Sequence, residues 1–162
     1  EDKERTIKQL EKLEKLAIPA LPTLARTLKE EEAPKVRIAA AEAIGNLGYS
    51  TPIVVKALIQ GLDDKYDRVR AESAVSLGKL GPSAAEAIPK LKEKSKTDDD
   101  YVRMNSVFAL GRIAEDPTQV LDALTEALKD SNHQCRYSAL MALERYGAKA
   151  GAAATASTTS PT

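Results

Sequence analysis

Apolar residues in the middle of the chain recur at the three- and four-residue steps of a helix. Val36, Ala40, Ile44 and Leu47 share one helical face, and the segment Pro34 to Gly48 that carries them reads as a single helix. The same arrangement returns from Asp67 to Gly81, from Asp100 to Ala114 and from His133 to Gly147. Arg37, Arg70, Arg103 and Arg136 hold the same place in these segments, each 33 residues from the last with no gap. A period of this length over four copies is the mark of a repeat array in which each unit is one supersecondary element.

These segments are designated B helices. Asp67 and Asp100 stand where N-caps are expected, and Pro34 suits a first helical turn. Gly48, Gly81 and Gly147 lie where C-terminal stops belong. A second set, the A helices, falls between them. Leu21-Pro22-Thr23-Leu24 corresponds to Val55-Lys56-Ala57-Leu58, Ile88-Pro89-Lys90-Leu91 and Leu121-Asp122-Ala123-Leu124. Thr51-Pro52 and Asp116-Pro117 read as an N-cap followed by a first-turn proline. Pro22 and Pro89 sit deeper and are expected to bend or restart their helices.

The predicted architecture is all-α: an α-solenoid, a right-handed superhelix of antiparallel helix pairs. Its units are residues 17–48, 49–81, 82–114 and 115–147. Residues 1–16, with Ile7, Leu10 and Leu13 on one side, are expected to form an N-terminal capping helix. Residues 148–162, rich in Ala, Thr, Ser and Gly, read as a disordered tail or linker.

Composition agrees with helical stacking. The chain has 162 residues, 43% of them hydrophobic, with five Tyr, one Phe and no Trp. Lys+Arg and Asp+Glu balance at 24 each, which disfavours a general binder of nucleic acid or anionic membrane. The single Cys135 excludes an internal disulfide and any multi-cysteine metal site. No apolar run reaches membrane-spanning length and no signal-peptide pattern is present, so the expected location is cytoplasmic.

The pattern Val-Arg, small residues, then Ala-Leu-Gly-x-Leu-Gly, clearest from Val36 to Gly48 and from Val69 to Gly81, resembles the short HEAT-like repeats of phycobilin lyases and many prokaryotic scaffold proteins. The resemblance covers residues 17–147. It implies an acidic residue about six positions before each arginine, forming a charge ladder between repeats. Glu31, Asp64 and Asp130 stand at that spacing from Arg37, Arg70 and Arg136. Before Arg103 the position is Thr97, with Asp98 beside it. Arg37, Arg70, Arg103, Arg136, Asp64 and Asp130 are therefore expected to be framework. The resemblance also implies that A helices line the convex side and B helices the concave side.

Function should then lie in outward B-helix positions that vary between repeats. Four columns share one face: Lys35/Arg68/Tyr101/Gln134, Ile38/Ala71/Met104/Tyr137, Glu42/Val75/Phe108/Met141 and Asn46/Lys79/Arg112/Arg145. From repeat two onward the predicted partner-binding residues are Arg68, Val75, Lys79, Tyr101, Met104, Phe108, Arg112, Tyr137, Met141 and Arg145. Exposed apolar strips rimmed by charge mark interaction sites. The same residues would equally serve as inter-repeat core. The expected function is a non-catalytic scaffold binding a peptide or helix of another protein, one with acidic residues beside apolar anchors. Two alternatives stand beside it. One is phosphate-backbone binding through Lys79, Arg112 and Arg145; the other is an accessory role to a chromophore lyase.

Catalytic chemistry has little to build on. His133 is the sole histidine and, two residues from Cys135, does not face it on a helix. Cys135 occupies the column of Val36, Val69 and Val102, as a small buried residue would. There is no phosphate loop, serine-nucleophile motif or metal-ligand spacing, and no cofactor is expected.

Overall fold

The structure, a computed structural model, describes residues 17–158, with side chains through Ala148. The predicted capping helix at 1–16 lies outside the described residues. Helix α1 covers residues 17–30, and is followed by α2 (Pro34–Leu47), α3 (Pro52–Gly61), α4 (Asp67–Leu80), α5 (Ile88–Thr97), α6 (Asp100–Ile113), α7 (Leu121–Ala127) and α8 (His133–Thr158). Short 3₁₀ segments, Gly81–Ala87 and Pro117–Gln119, lead into α5 and α7. There is no strand among the described residues. The even-numbered helices are the B helices, and they pack on one another in sequence, α2 on α4, α4 on α6, α6 on α8.

One continuous core runs along the stack. Leu21, Leu28, Ile44, Leu58, Leu62, Leu77, Leu91, Leu110, Ile113 and Leu124 are all buried in it. Small residues let the B helices approach closely. A Cβ on Gly45 would stand 2.9 Å from Ser76 Cα, one on Gly78 3.1 Å from Ala109 Cα, and one on Gly111 3.2 Å from Ala142 Cα. The glycine of the Ala-Leu-Gly motif is thus a helix-contact residue in three successive units.

Helix ends follow local chemistry, with shifts from the sequence reading. Gly48 closes α2 at φ 71° and donates its N–H to Ile44 O, the left-handed ending that favours glycine. Asp67 and Asp100 are first helical residues and not caps. The cap of α4 is Tyr66, without a side-chain bond; that of α6 is Asp99, whose carboxylate accepts from the N–H groups of Tyr101 and Val102. Pro89 falls at the second position of α5, where its missing N–H costs nothing, after the 3₁₀ segment. Gly147 does not stop its helix. Composition predicts a disordered tail from residue 148, yet the backbone of α8 stays helical to Thr158, through an alanine-rich stretch of high helix propensity.

Candidate functional site

The periodic arginines sit at the starts of the B helices and join successive units. Arg37 donates from Nε to Asp64 Oδ2 at 2.7 Å and from Nη2 to Oδ1 at 2.8 Å, while its Nη1 bonds Glu31 O in the turn before its own helix. Arg70 does the same with Asp98 (Nη2 to Oδ1, 2.7 Å) and Asp64 O. Arg103 follows with Asp130 and Asp98 O. Each aspartate therefore takes one arginine on its carboxylate and the next on its carbonyl. The result is an unbroken relay from Arg37 through Asp64, Arg70, Asp98, Arg103 and Asp130 to Arg136. Among the described residues it ends there: Arg136 Nη1 bonds Asp130 O and Ser131 O, and no carboxylate pairs with it.

The relay is strongly polarised. The hydrogen bonds from Arg103 outweigh burial and hold Asp130 down at about 2. Burial works against Asp64 and Asp98, but bonds from Arg37 and Arg70, reinforced by turn N–H groups, keep both below the ordinary carboxylate range. Bidentate pairing of this kind is among the stronger polar contacts and fixes geometry as well as charge.

On the outward face of the B helices the structure divides the sequence-derived columns. Tyr101, Phe108 and Met141 are 56%, 39% and 43% exposed. Val75 is half-buried, and Met104 is half-buried against the core. Tyr137 belongs to a column whose earlier members, Ile38, Ala71 and Met104, are covered or half-covered; it is exposed, with no later unit over it among the described residues. The expected single strip is thus an outward cluster plus one residue at the end of the stack. Arg68 is exposed and, with Ile38, Asp67, Glu72 and Tyr101, lines an open groove of about 420 Å³ across the first three units.

The basic column does more than rim this face. Arg112 Nε donates to Gly78 O at 3.2 Å, and Arg145 Nη1 to Gly111 O at 2.7 Å. Both carbonyls lie in the last turn of the preceding B helix, where the regular i to i+4 partners run out, and Gly78 O also accepts from the N–H of Gly81 that ends α4. Lys79 Nζ donates to Asn46 Oδ1 at 2.8 Å. Phe108 packs against Gly78, with the Arg112 guanidinium over its ring at 5.6 Å. These residues staple neighbouring units, which sequence columns alone did not reveal; the available signal was a basic residue recurring in the last helical turn. Two of the three proposed phosphate contacts, Arg112 and Arg145, are thereby committed to backbone carbonyls.

Other reactive groups are quiet. Cys135 is buried, and burial pushes its thiol up to about 12. Among the described residues, no group of three or more His, Cys, Asp or Glu is placed to hold a metal ion, and no helix is long and apolar enough to cross a membrane.

Stacked helix pairs with a shared core, joined by a periodic polar relay, define an α-solenoid. The family model for HEAT repeats matches residues 3–78, 21–103 and 88–156, and the chain belongs to that family. Such repeats generally act as scaffolds for protein–protein interaction. No curated protein matches the chain.

Proposed function

We propose that the outward face of α4, α6 and α8 binds a peptide or amphipathic helix of another protein, without catalysis. The observation that carries this is the exposure of Tyr101 and Phe108 on α6, whose other large apolar residues are buried or half-buried, with Met141 exposed on the neighbouring α8. Aromatic and Met side chains held at the surface of a rigid helical scaffold are typical interface anchors. Arg68 and Lys79 stand exposed on the same face and favour a partner with acidic residues beside its apolar anchors. A reducing, cytoplasmic setting is supported by the lone buried thiol of Cys135.

Selection from a displayed peptide library on the full chain tests this. The selected peptides should combine spaced apolar residues with acidic flanks, and should lose binding to the Phe108→Glu/Met141→Glu double variant while its melting temperature holds. Peptides that bind the double variant as well as the parent would place the interaction elsewhere and defeat the reading.

A further inference from the structure

The last unit presents to solvent what every earlier unit buries. Leu140 is 54% exposed, whereas Val107, Ala74 and Ala41, its counterparts one, two and three periods back, are fully buried under the following B helix. Leu121 on α7 is 48% exposed, against a buried Leu21, Val55 and Ile88. Tyr137 and Leu140 share an open hollow of about 450 Å³ with His133, Gln134 and Arg136. A terminal unit ordinarily needs a polar outer face. The last described unit has an apolar one instead, and it carries the one relay arginine without a carboxylate partner among the described residues.

One column departs from the pattern. Gly45, Gly78 and Gly111, which admit the next B helix, are followed one period later by Glu144. Glu144 is exposed and has no hydrogen bond or ion pair among the described residues. A further repeat stacked in the usual way would meet this side chain where its own backbone must pass. Glu144 therefore obstructs a repeat stacked in the usual way, while the face around it remains apolar.

The spacing points to a different occupant. Arg136 lies four residues before Leu140 and Glu144 four residues after it, so the three stand on one side of α8, with the unpaired cation and the unpaired anion equidistant from the apolar centre. We propose that a second copy of this chain docks on this end, its α8 antiparallel to the first about a twofold axis at Leu140. Arg136 of each copy then meets Glu144 of the other, and the two Leu140 side chains touch at the centre. An isologous contact demands this kind of self-complementarity, residue i on j and j on i. It also supplies Arg136 with the carboxylate that Asp64, Asp98 and Asp130 give the earlier arginines. Tyr137 and Leu121 enlarge the buried apolar area. Tyr101 and Phe108, one unit further back on α6, stay uncovered, so the α6 part of the peptide face remains available in the dimer.

The test is sedimentation equilibrium of the full chain. The parent should be dimeric. Arg136→Glu and Glu144→Arg should each raise the dissociation constant at least about tenfold, since each change sets like charges against each other at two symmetric places. Mixed in equal amounts, the two variants should form a heterodimer, because each supplies the charge the other lacks. Leu140→Cys in a Cys135→Val background should crosslink to a dimer on oxidation, whereas Lys56→Cys in the same background should not. A parent that stays monomeric at millimolar concentration overturns the proposal. A dimer indifferent to both charge reversals, or failure of Leu140→Cys to crosslink in a folded variant, does the same.

Discussion

Arg103 grips Asp130 with two parallel bonds across a repeat boundary, Nε to Oδ2 at 2.8 Å and Nη2 to Oδ1 at 2.9 Å. Both side chains are largely shielded from water. Replacing one partner leaves a shielded charge uncompensated, so Asp130→Asn should cost about 2 kcal/mol at neutral pH. The pH dependence is signed. Asp130 is held at about 2 when folded, against about 3.9 for a free aspartate. Its stabilisation is thus complete above pH about 4 and lost as the pH falls through about 2. Urea denaturation of both proteins across this range should show their stabilities converging in acid.

Glycine substitutions should split by position. Gly111→Ala puts a methyl group against Ala142 of the next helix, with Ala142 Cα only 3.2 Å away. Overpacking should outweigh the gain in helix propensity and destabilise by about 1–2 kcal/mol. Gly147 sits inside α8 with open space around it. Gly147→Ala should therefore stabilise by about 0.5–1 kcal/mol. Thermal melts of the two variants, at matched concentration, distinguish helix contact from mere helix propensity.

Buried serines offer a second internal contrast. Ser76 Oγ donates to Ala41 O at 2.8 Å across the α2–α4 contact, whereas Ser73 Oγ and Ser106 Oγ are buried without a hydrogen-bond partner among the described residues. Ser76→Ala should cost about 1 kcal/mol, and Ser73→Ala or Ser106→Ala should be neutral or stabilising. Equilibrium unfolding of the three variants checks the order.

Cys135 reports on the last repeat. With its thiol buried and raised to about 12, it should be inert to a thiol-specific reagent at pH 8 in the folded chain and react at once in denaturant. The slow labelling rate in native buffer then measures the opening of α8. Labelling as fast as a free thiol would mean that the α8 packing is wrong.

Much of the fold was legible because a residue recurring in every period advertises itself. The relay arginines and the core face of the B helices came directly from the columns. Their carboxylate partners were harder, because the contact joins residues 27 or 28 apart in different units. The run Asp98-Asp99-Asp100 concealed its register. In the structure Asp98 takes Arg70, Asp99 caps α6 and Asp100 pairs with Arg103. The stapling by Arg112 and Arg145 left no mark in the partner residues, since the acceptors are backbone carbonyls of glycines. The candidate face was located as columns, but whether a column member lies outside depends on what the next unit covers. That is why Met104 packs inward while Tyr137, one period on, does not. Helical backbone beyond Gly147 was hidden by a composition that signals disorder and helix propensity alike.

The relay links each unit only to its immediate neighbours. A load applied to the two ends would therefore pass through the junctions in series, each rung sharing it with the core contacts and staples of its own junction. Such a molecule gives way at its weakest junction, and the intact remainder keeps its shape. Extended between two anchors, it would lengthen stepwise, like a spring that opens one coil at a time.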